Sequence, residues 1–389
     1  MIKYVWRQRN SLSGLLNKYS HGEIIRGNSL ARVTATIVGE MMMISIQSSI
    51  RSKILCLLIV ILSACEQHPE HQQSIILTGL TMGTTYTVKI VPSESILDHS
   101  VISAEINRQL DNVNQQMSTY IETSDLSLFN QSDTKEWAEI PAELYTVIEE
   151  ALRINVLSEN AFDISIGPVV NLWGFGPEEK PDTVPDHTAI SEALDKVGSQ
   201  YIHLRQNPYS IRKDKPDLAI DLSAIAKGFA VDIIADYLDK LDINNYMVEI
   251  GGEIKAKGYS PDNKSWHIGI EKPLSDQRTV QSIVALDDTG MATSGDYRNY
   301  FEENGIRYSH TINPETGKPI THKLASVTIL HPSAMTADAM ATALLVLGPE
   351  RGFELALREN LAALFIIREK DSFTEKMTPQ FRNALAYSE

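Results

Sequence analysis

Cysteine is almost absent from this chain of 389 residues. Its two cysteines, Cys56 and Cys65, both lie near the N-terminus. The chain beyond Cys65 can therefore form neither a disulfide framework nor a thiolate metal site. Any metal ion bound there must be held by oxygen or nitrogen ligands.

Positive charge is also scarce. Beyond residue 64 the chain has 27 basic and 48 acidic residues, which gives a formal net charge of −21. Proteins that bind nucleic acid need a basic surface, so this composition argues against nucleic-acid binding. The chain also lacks the glycine patterns of the Rossmann and Walker nucleotide sites. An anionic ligand would therefore need local help from a lysine, a helix N-terminus or a metal ion.

Long apolar runs are missing as well, apart from one short segment near the N-terminus. Residues 54–62 are apolar, and Arg51 and Lys53 precede them. This pattern is typical of a signal peptide and is too short for a membrane-spanning helix. The run ends in Leu62-Ser-Ala-Cys65, which resembles the lipobox of bacterial lipoproteins.

The expected N-terminal organisation follows from that segment. A signal peptide of ordinary length would cover residues 41–64, and Cys65 would become the lipidated first residue of the mature protein. Residues 65–75 would form a lipidated tether, and residues 1–40 would be an upstream extension that is disordered or not translated. The protein would then be a cell-membrane lipoprotein that faces the periplasm, on the inner or the outer membrane. An uncleaved anchor helix is the alternative.

One stretch, Asp221 to Asp232, combines a helical pattern with an unusual lysine. Its apolar residues recur at the i, i+4 spacing of a helix with one buried face, and natural N-caps precede them, so we predict a helix from about Ser223. Lys227 would lie in the first turn, where a cation opposes the helix dipole unless an anion binds there. The stretch therefore suggests a phosphate site, with Gly228 allowing a ligand or another backbone to come close. An ordinary capped helix with a solvated lysine explains the stretch equally well.

Two oxygen-bearing side chains later in the chain could hold a cation. Asp338 and Thr342 are four residues apart, so they share one face of a predicted helix that stops at Gly348-Pro349. A carboxylate and a hydroxyl suit Mg²⁺, which takes few protein ligands and keeps water or phosphate in the rest of its shell. Alternatively, Asp338 only favours the helix dipole and Thr342 bonds back to a carbonyl oxygen.

Two loops are further candidates for a ligand site. Residues 161–176 contain three glycines, one proline and three aromatic residues, which could form the floor for a planar ligand or fold over their own aromatic core. His310 precedes a reverse turn at Asn313-Pro-Glu-Thr-Gly317. A catalytic role for His310 competes with that of a neutral, hydrogen-bonded imidazole.

Helices and strands are interspersed along the chain, so the expected fold class is α+β, with mixed sheets and helices packed on them. Apolar positions from Ile102 to Met117 indicate an amphipathic helix, and residues 246–250 and 324–330 indicate buried strands. We expect one domain over residues 76–368. The tail over residues 369–389 is expected to be loosely attached.

Eight short blocks follow one another along the chain: Thr81-Met-Gly-Thr84, Met117-Ser-Thr-Tyr120, Ala161-Phe-Asp163, Asp221-Leu-Ser with Lys227-Gly, Gly251-Gly-Glu253, Thr293-Ser-Gly-Asp-Tyr-Arg298, His310-Thr-Ile-Asn-Pro-Glu-Thr-Gly317, and Ala337-Asp-Ala with Ala341-Thr342. Each block is weak alone. In this order, and behind a lipoprotein signal, they resemble the ApbE family of FAD:protein FMN transferases. The resemblance covers roughly Thr78 to Arg368 and implies an ApbE-like architecture related to the T-fold.

The resemblance also implies a set of site residues by position. One residue departs from the family, which usually has Asp at the position of Asn313; both residues begin turns well, so only a charge role would be lost there. The residues that match the family's flavin nucleotide site are Met82, Tyr120, Ala161, Phe162, Asp163, Asp221 and Ile312, with Lys227 at the phosphates. Those that match its magnesium site are Ala224, Asp338, Ala341 and Thr342, with the alanines acting through backbone oxygens.

The reaction that the resemblance implies is Mg²⁺-dependent transfer of the FMN moiety of FAD to a Thr or Ser hydroxyl of an exported flavoprotein, with release of AMP. Lys227 and Asp338 would act electrostatically, and His310 is the candidate general base. Expected acceptors are flavoprotein subunits of membrane redox complexes with a motif like Asp-x-x-Ser/Thr-Gly-Ala-Ser/Thr. The alternatives are an FAD pyrophosphatase, in which water replaces the hydroxyl, and a flavin-binding lipoprotein without catalysis.

Overall fold

The structure is a computed structural model that describes residues 42–43, 74–92, 98–177, 184–274, 279–297, 300–303, 306–370 and 372–385. The predicted extension over residues 1–40, the lipidated Cys65 and all of the signal peptide except Met42 and Met43 lie outside these residues. Among the helices of the described ranges, none is long and apolar enough to cross a membrane. The elements below all fall within one unit, His71–Glu389.

An eight-stranded sheet forms the centre of this unit. Its strands stand in the order β1-β2-β6-β7-β10-β15-β16-β17, and each neighbouring pair runs antiparallel. The strands are β1 Ile75–Thr81, β2 Thr84–Ile90, β6 Tyr246–Ile250, β7 Glu253–Lys257, β10 Thr289–Gly295, β15 Leu324–His331, β16 Ala362–Arg368 and β17 Phe373–Met377.

Smaller sheets surround the main one. A three-stranded sheet has the order β3-β5-β4, and three two-stranded pairs complete the set. Their strands are β3 Ala138–Glu139, β4 Ile202–Arg205, β5 Ser210–Lys213, β8 Trp266–Glu271, β9 Val280–Leu286, β11 Tyr300–Glu303, β12 Ile306–Ser309, β13 Ile312–Asn313 and β14 Lys318–Pro319. The α+β class is confirmed, but the expected mixed sheets need refinement, since the one parallel contact among the described residues is the bridge between Ile166 and Ala219.

Eight α-helices are described in the same unit. They are α1 His99–Met117, α2 Asp125–Gln131, α3 Ala142–Leu157, α4 Gly167–Leu172, α5 His187–Leu194, α6 Ala226–Lys240, α7 Ala334–Arg358 and α8 Pro379–Leu385. The apolar stripe predicted for α1 is buried from Ile102 to Met117, as expected for a helix with one face in the core. The predicted stop at Gly348-Pro349 is a kink, because Gly348 leaves helical geometry (φ 82°) and the helix then resumes to Arg358.

Alternation along the central strands divides the core into two layers. Side chains of successive strand residues point to opposite faces, so Val248 joins one layer and Met247 the other. Helices α1, α3, α6 and α7 cover the first face of the sheet. The β8–β9 hairpin and Phe381 of α8 cover part of the second.

The C-terminal tail differs from the sequence prediction. Residues 373–377 pair with β16 as an edge strand, and Phe381 of the following helix is fully buried. The expectation of a loosely attached tail is therefore wrong for these residues. The sequence pattern does not indicate this strand, because its middle residues are polar and exposed, which is the usual pattern of a sheet edge.

Candidate functional site

One cavity of about 1350 Å³ lies where the β1–β2 turn, the end of α1, the loop after residue 160 and the starts of α6 and α7 meet. It brings together most of the predicted site residues, although they are spread over 260 positions between Met82 and Thr342. Ala341 does not line the cavity, since it is fully buried within α7. The predicted residues on its wall are Met82, Tyr120, Ala161, Phe162, Asp163, Asp221, Ala224, Lys227, His310, Ile312, Asp338 and Thr342.

The start of α6 lies three residues later than the sequence predicts. Helix α6 begins at Ala226, and its N-cap, Ile225, makes no side-chain capping bond. Asp221 instead accepts a hydrogen bond from the Ser223 amide (2.8 Å), which closes a local turn before the helix. The carboxylate that caps α6 comes from α7, where Asp338 Oδ2 accepts a hydrogen bond from the Gly228 amide (3.1 Å).

Gly228 allows α6 and α7 to come into backbone contact. A Cβ placed at Gly228 would lie 2.3 Å from the Ala334 carbonyl oxygen and 2.8 Å from Asp338 Cβ. Of the two roles that the sequence left open for Gly228, the structure supports close approach of another backbone. This approach also brings the Asp338 carboxylate to the first turn of α6.

Three charged side chains form a cluster on this wall. Lys227 Nζ lies 3.7 Å from Asp338 Oδ2 and 3.7 Å from Glu253 Oε1, and it donates a hydrogen bond to the Ser223 carbonyl oxygen (3.2 Å). Burial disfavours the ammonium, but the carboxylates of Asp338 and Glu253 outweigh this and raise the pKa of Lys227 above its ordinary value. Burial raises the pKa of each carboxyl group, and Lys227 opposes that rise. Lys227 is therefore a fixed cation, which can face an anionic ligand.

Glu253 belongs to this cluster, although it is not among the site residues that the sequence predicts. It follows a tight turn in which Gly251 and Gly252 both have positive φ (59° and 106°), and its side chain is only 5% exposed. Its Oε2 atom is buried and has no hydrogen-bond partner among the described residues. The Gly-Gly-Glu block marks Glu253 in the sequence. Its position close to Lys227 follows only from the place of β7 in the central sheet.

The oxygen donors around Asp338 fit a small hard cation. Thr342 Oγ1 lies 2.8 Å from Ser294 Oγ on β10, so two hydroxyls stand near the carboxylate on the same cavity wall. The turn residue Ala224 also lines the cavity, as a backbone oxygen ligand would require. No group of three or more His, Cys, Asp or Glu side chains within the described ranges could hold a metal. A cation here would thus use few carboxylates, as Mg²⁺ does.

Aromatic rings line part of the cavity. Tyr120 is exposed at the edge and its hydroxyl donates to the Phe175 carbonyl oxygen (3.4 Å). The Phe175 ring meets the His310 ring edge to face, with centroids 6.3 Å apart. Trp173 instead has a structural role, because it is buried and its indole N–H donates a hydrogen bond to the Gly317 carbonyl oxygen (2.8 Å). The interpretation of a loop folded over its own aromatic core therefore holds for Trp173, whereas contact of the other rings with a planar ligand stays a prediction.

The 163–165 loop is held by hydrogen bonds within the protein. Asp163 Oδ1 accepts hydrogen bonds from the Ser165 amide (2.8 Å), the Ser165 hydroxyl (2.5 Å) and the Ser199 hydroxyl (2.6 Å). These bonds use the carboxylate to shape the cavity wall beside Ala161 and Phe162. The role of Asp163 as a direct ligand of a nucleotide stays a prediction.

The turn between β1 and β2 closes another side of the cavity. Thr81 pairs with Thr84, and the two residues between them, Met82 and Gly83, have positive φ (49° and 70°). This is the geometry of a two-residue hairpin turn. It places Met82 at the cavity wall, whereas Ile312, on the other side, is mostly buried in β13.

A cavity of this size, with a fixed cation, a helix N-terminus, paired carboxylates and aromatic rings, is typical of proteins that bind a nucleotide together with a cation. The sequence model of the ApbE family matches residues 82–365, which include every predicted residue on the cavity wall. The chain belongs to the ApbE family.

Similar proteins carry names that agree with this assignment. A protein of Vibrio cholerae serotype O1 named FAD:protein FMN transferase is 46% identical over 328 residues, which are 84% of this chain and 97% of the relative. Another of that name from Escherichia coli K12 is 38% identical and spans 82% and 93% of the two chains. The solved structure of the flavin transferase ApbE from Vibrio cholerae has a TM-score of 0.76 at 46% identity, and covers 80% of this chain and 99% of that chain. That of the Pseudomonas stutzeri flavinyl transferase ApbE, apo form, has a TM-score of 0.74 at 39% identity, with 80% and 97% coverage.

Proposed function

We propose that this protein is an FAD:protein FMN transferase, which moves the FMN moiety of FAD onto a Thr or Ser hydroxyl of a target protein and releases AMP. The observation that carries the proposal is the cavity that collects residues from all parts of an ApbE-family chain around Lys227, Asp338 and the start of α6. Its volume of about 1350 Å³ suits a dinucleotide better than a small metabolite.

The cavity offers different surfaces to the two ends of FAD. The ammonium of Lys227, in the first turn of α6, would bind the pyrophosphate, because a fixed cation and the positive end of a helix dipole both favour negative charge. The rings of Tyr120 and Phe175 would pack against an aromatic part of the ligand. Oxygen atoms of Asp338, Thr342 and Ala224 would hold Mg²⁺, which would offset charge on the phosphate oxygens when bound.

The proposed transfer exchanges the phosphoanhydride linkage of FAD for a phosphate ester linkage to the acceptor. The acceptor hydroxyl oxygen forms a bond to the FMN phosphorus while the bond from that phosphorus to the oxygen of AMP breaks, so AMP leaves with the electron pair. The hydroxyl proton must pass to a base. His310, on the cavity wall beside Phe175, is the candidate.

A gel assay tests the proposed transfer. The purified protein would be mixed with FAD, Mg²⁺ and a protein that carries the acceptor motif, then separated on a denaturing gel and viewed for flavin fluorescence. We expect a fluorescent acceptor band that disappears without Mg²⁺ and with Asp338→Asn, while Asp239→Asn, at a carboxylate far along α6, retains it. FMN and AMP free in solution without a labelled acceptor would instead indicate an FAD pyrophosphatase.

The role of His310 can be separated from that of Asp338 by comparing two variants. If His310 is the base, His310→Ala should slow transfer by about 10²–10⁴-fold, with little change in FAD binding. Asp338→Ala should abolish transfer, because it removes the proposed carboxylate ligand of Mg²⁺. A full transfer rate in His310→Ala, together with loss in Asp338→Ala, would remove the base assignment and leave the metal assignment in place.

We also propose that the protein works at the periplasmic face of a membrane, held by lipid on Cys65, and that its acceptors are flavoprotein subunits of membrane redox complexes. The lipobox-like sequence before Cys65 supports the anchor. Cells grown with labelled fatty acid should incorporate it into the parent protein and not into Cys65→Ala. Equal labelling of both proteins would contradict the anchor without bearing on the transfer reaction.

A further inference from the structure

The charged cluster contains an unusual neighbour for a metal site. Lys227 Nζ lies 3.7 Å from Asp338 Oδ2, and Asp338 is the proposed carboxylate ligand of the cation. A lysine this close would repel a divalent ion and would compete for the same carboxylate. The site therefore needs something that keeps the ammonium in place and offsets its charge.

Glu253 is placed to do this. Glu253 Oε1 lies 3.7 Å from Lys227 Nζ. Glu253 belongs to β7 and Asp338 to α7, so the two carboxylates reach the lysine from different elements. The Glu253 side chain is about 95% buried, and its other oxygen, Oε2, has no hydrogen-bond partner among the described residues. A buried carboxylate without donors is costly unless an opposite charge stands beside it. Lys227 is the one cation with which the described structure pairs it.

We propose that Glu253 is a positioning residue, which holds Lys227 and neutralises its charge so that the lysine can stand beside a divalent cation bound to Asp338. The inference deepens the proposed function, and it rests on that function only in taking Asp338 as a metal ligand. Glu253 would act through Lys227 and would not need to contact the metal or FAD.

The local charge predicts how metal affinity should change. With both carboxylates ionised, the three groups carry a net charge of −1. Glu253→Gln makes the net charge zero and leaves Asp338 as the only carboxylate of the cluster that pairs with Lys227. The metal should therefore bind more weakly. Lys227→Met makes the net charge −2, so the metal should bind more tightly. The double variant restores −1, and its metal affinity should return close to that of the parent.

Titration with Mn²⁺ alone, followed by electron paramagnetic resonance in the absence of FAD, tests this order directly. We expect Glu253→Gln to bind Mn²⁺ about tenfold or more weakly than the parent. Adding Lys227→Met to that variant should recover most of the loss. Glu249→Gln is the matched control, because Glu249 also lines the cavity beside the Gly251–Gly252 turn but its carboxylate already accepts a hydrogen bond from the Gly252 amide (2.9 Å).

Three results would overturn the inference. A double variant as weak as Glu253→Gln would mean that Glu253 contacts the metal itself. An unchanged affinity in Glu253→Gln would mean that Glu253 carries no charge there. An equal loss of Mn²⁺ affinity in Glu249→Gln would mean that the net charge of the cavity, and not the contact of Glu253 with Lys227, determines metal binding.

Controls keep these results distinct from other failures. Thermal unfolding of each variant shows whether it folds, and Lys227→Gln replaces Lys227→Met if that variant does not. If the parent binds no Mn²⁺, the metal assignment in the proposed function fails and this inference fails with it. If the parent binds Mn²⁺ with the predicted order but transfers no flavin, the inference stands and the transferase proposal fails.

Discussion

At the scale of single residues, His322 is a half-buried histidine whose surroundings favour the neutral ring. Its Nδ1 accepts a hydrogen bond from the Leu324 amide (3.3 Å), and protonation at that atom would remove the acceptor. The ring also packs against Gly348 at the kink of α7. Burial lowers the pKa of His322 below its ordinary value.

This burial predicts a loss of stability in acid. Below the unfolded-state pKa of about 6.5, the unfolded chain binds a proton at His322 that the folded protein does not, so stability rises with pH through this window and falls as pH drops. The free energy of unfolding, measured by denaturant between about pH 8 and pH 5, should depend less on pH in His322→Gln. His267→Gln, on the exposed face of β8, should keep the parent's dependence. Equal pH dependence in parent and His322→Gln would contradict the account.

Individual residues also show where sequence patterns stop being informative. The sequence marks Lys227 as unusual because a cation opposes the dipole of a helix start. It does not reveal the reason, since the two carboxylates beside the lysine come from β7 and α7. The sequence also does not show why position 228 is glycine. A Cβ there would clash with the backbone of Ala334, which lies more than 100 residues later in the chain.

At the scale of elements, helices α6 and α7 cap each other. Asp338 of α7 accepts the Gly228 amide of α6. Asp232 of α6 accepts the amides of Ala334 and Met335 (3.0 Å each) and the Ser333 hydroxyl (2.7 Å) at the start of α7. Each helix thus satisfies backbone donors of the other, and this reciprocal contact fixes Asp338 beside Lys227.

Asp232→Asn should destabilise the protein through the start of α7. Loss of the cap should cost about 1–2 kcal/mol in the free energy of unfolding. Asp239→Asn is the matched control, since Asp239 on the same helix pairs with Lys257 (3.0 Å) much as Asp232 pairs with Lys255 (3.2 Å), but caps nothing on α7. That control should lose no more than about 1 kcal/mol. Denaturant unfolding gives both values, and equal losses would mean that the lysine pair, not the cap, accounts for Asp232.

Elements with a strong local pattern could be predicted, and those defined by distant partners could not. The apolar spacing of helix α1 indicates one buried face, and the apolar run of β6 indicates a strand that is buried on both faces. The sequence predicts the start of α6 three residues too early, because Asp221 and Ser223 are typical N-cap residues although they form a separate turn. The true capping carboxylate follows 110 positions later, at Asp338.

At the scale of the whole molecule, the C-terminal segment completes the second core layer. Phe381 is fully buried with residues of β8, β9 and β16, although the strand before it is mostly exposed. Phe381→Ala should therefore lower the free energy of unfolding by about 3–5 kcal/mol. The exposed neighbour Arg382→Ala should change it by less than about 0.5 kcal/mol. Similar small effects of both variants in denaturant unfolding would mean that the segment is dispensable.

The site as a whole could be assembled from sequence only through the resemblance to a family. Residue chemistry alone identified the candidate pair Asp338 and Thr342 and the lysine at 227, each with an ordinary alternative. The structure brings them to one cavity because the eight-stranded sheet and the α6–α7 contact join segments that the chain keeps far apart. Glu253 shows the limit of the sequence. The Gly-Gly-Glu block can be recognised there, but the pairing of Glu253 with Lys227 cannot.

The most direct test of the central claim is to measure the acceptor's intact mass and the released AMP in one reaction with FAD and Mg²⁺. Each acceptor should gain one FMN phosphoryl unit, and one AMP should appear for each unit attached. The acceptor with Ala at the hydroxyl residue of its motif should gain nothing. AMP released together with free FMN, while the acceptor keeps its original mass, would contradict transfer and identify hydrolysis as the reaction of this site.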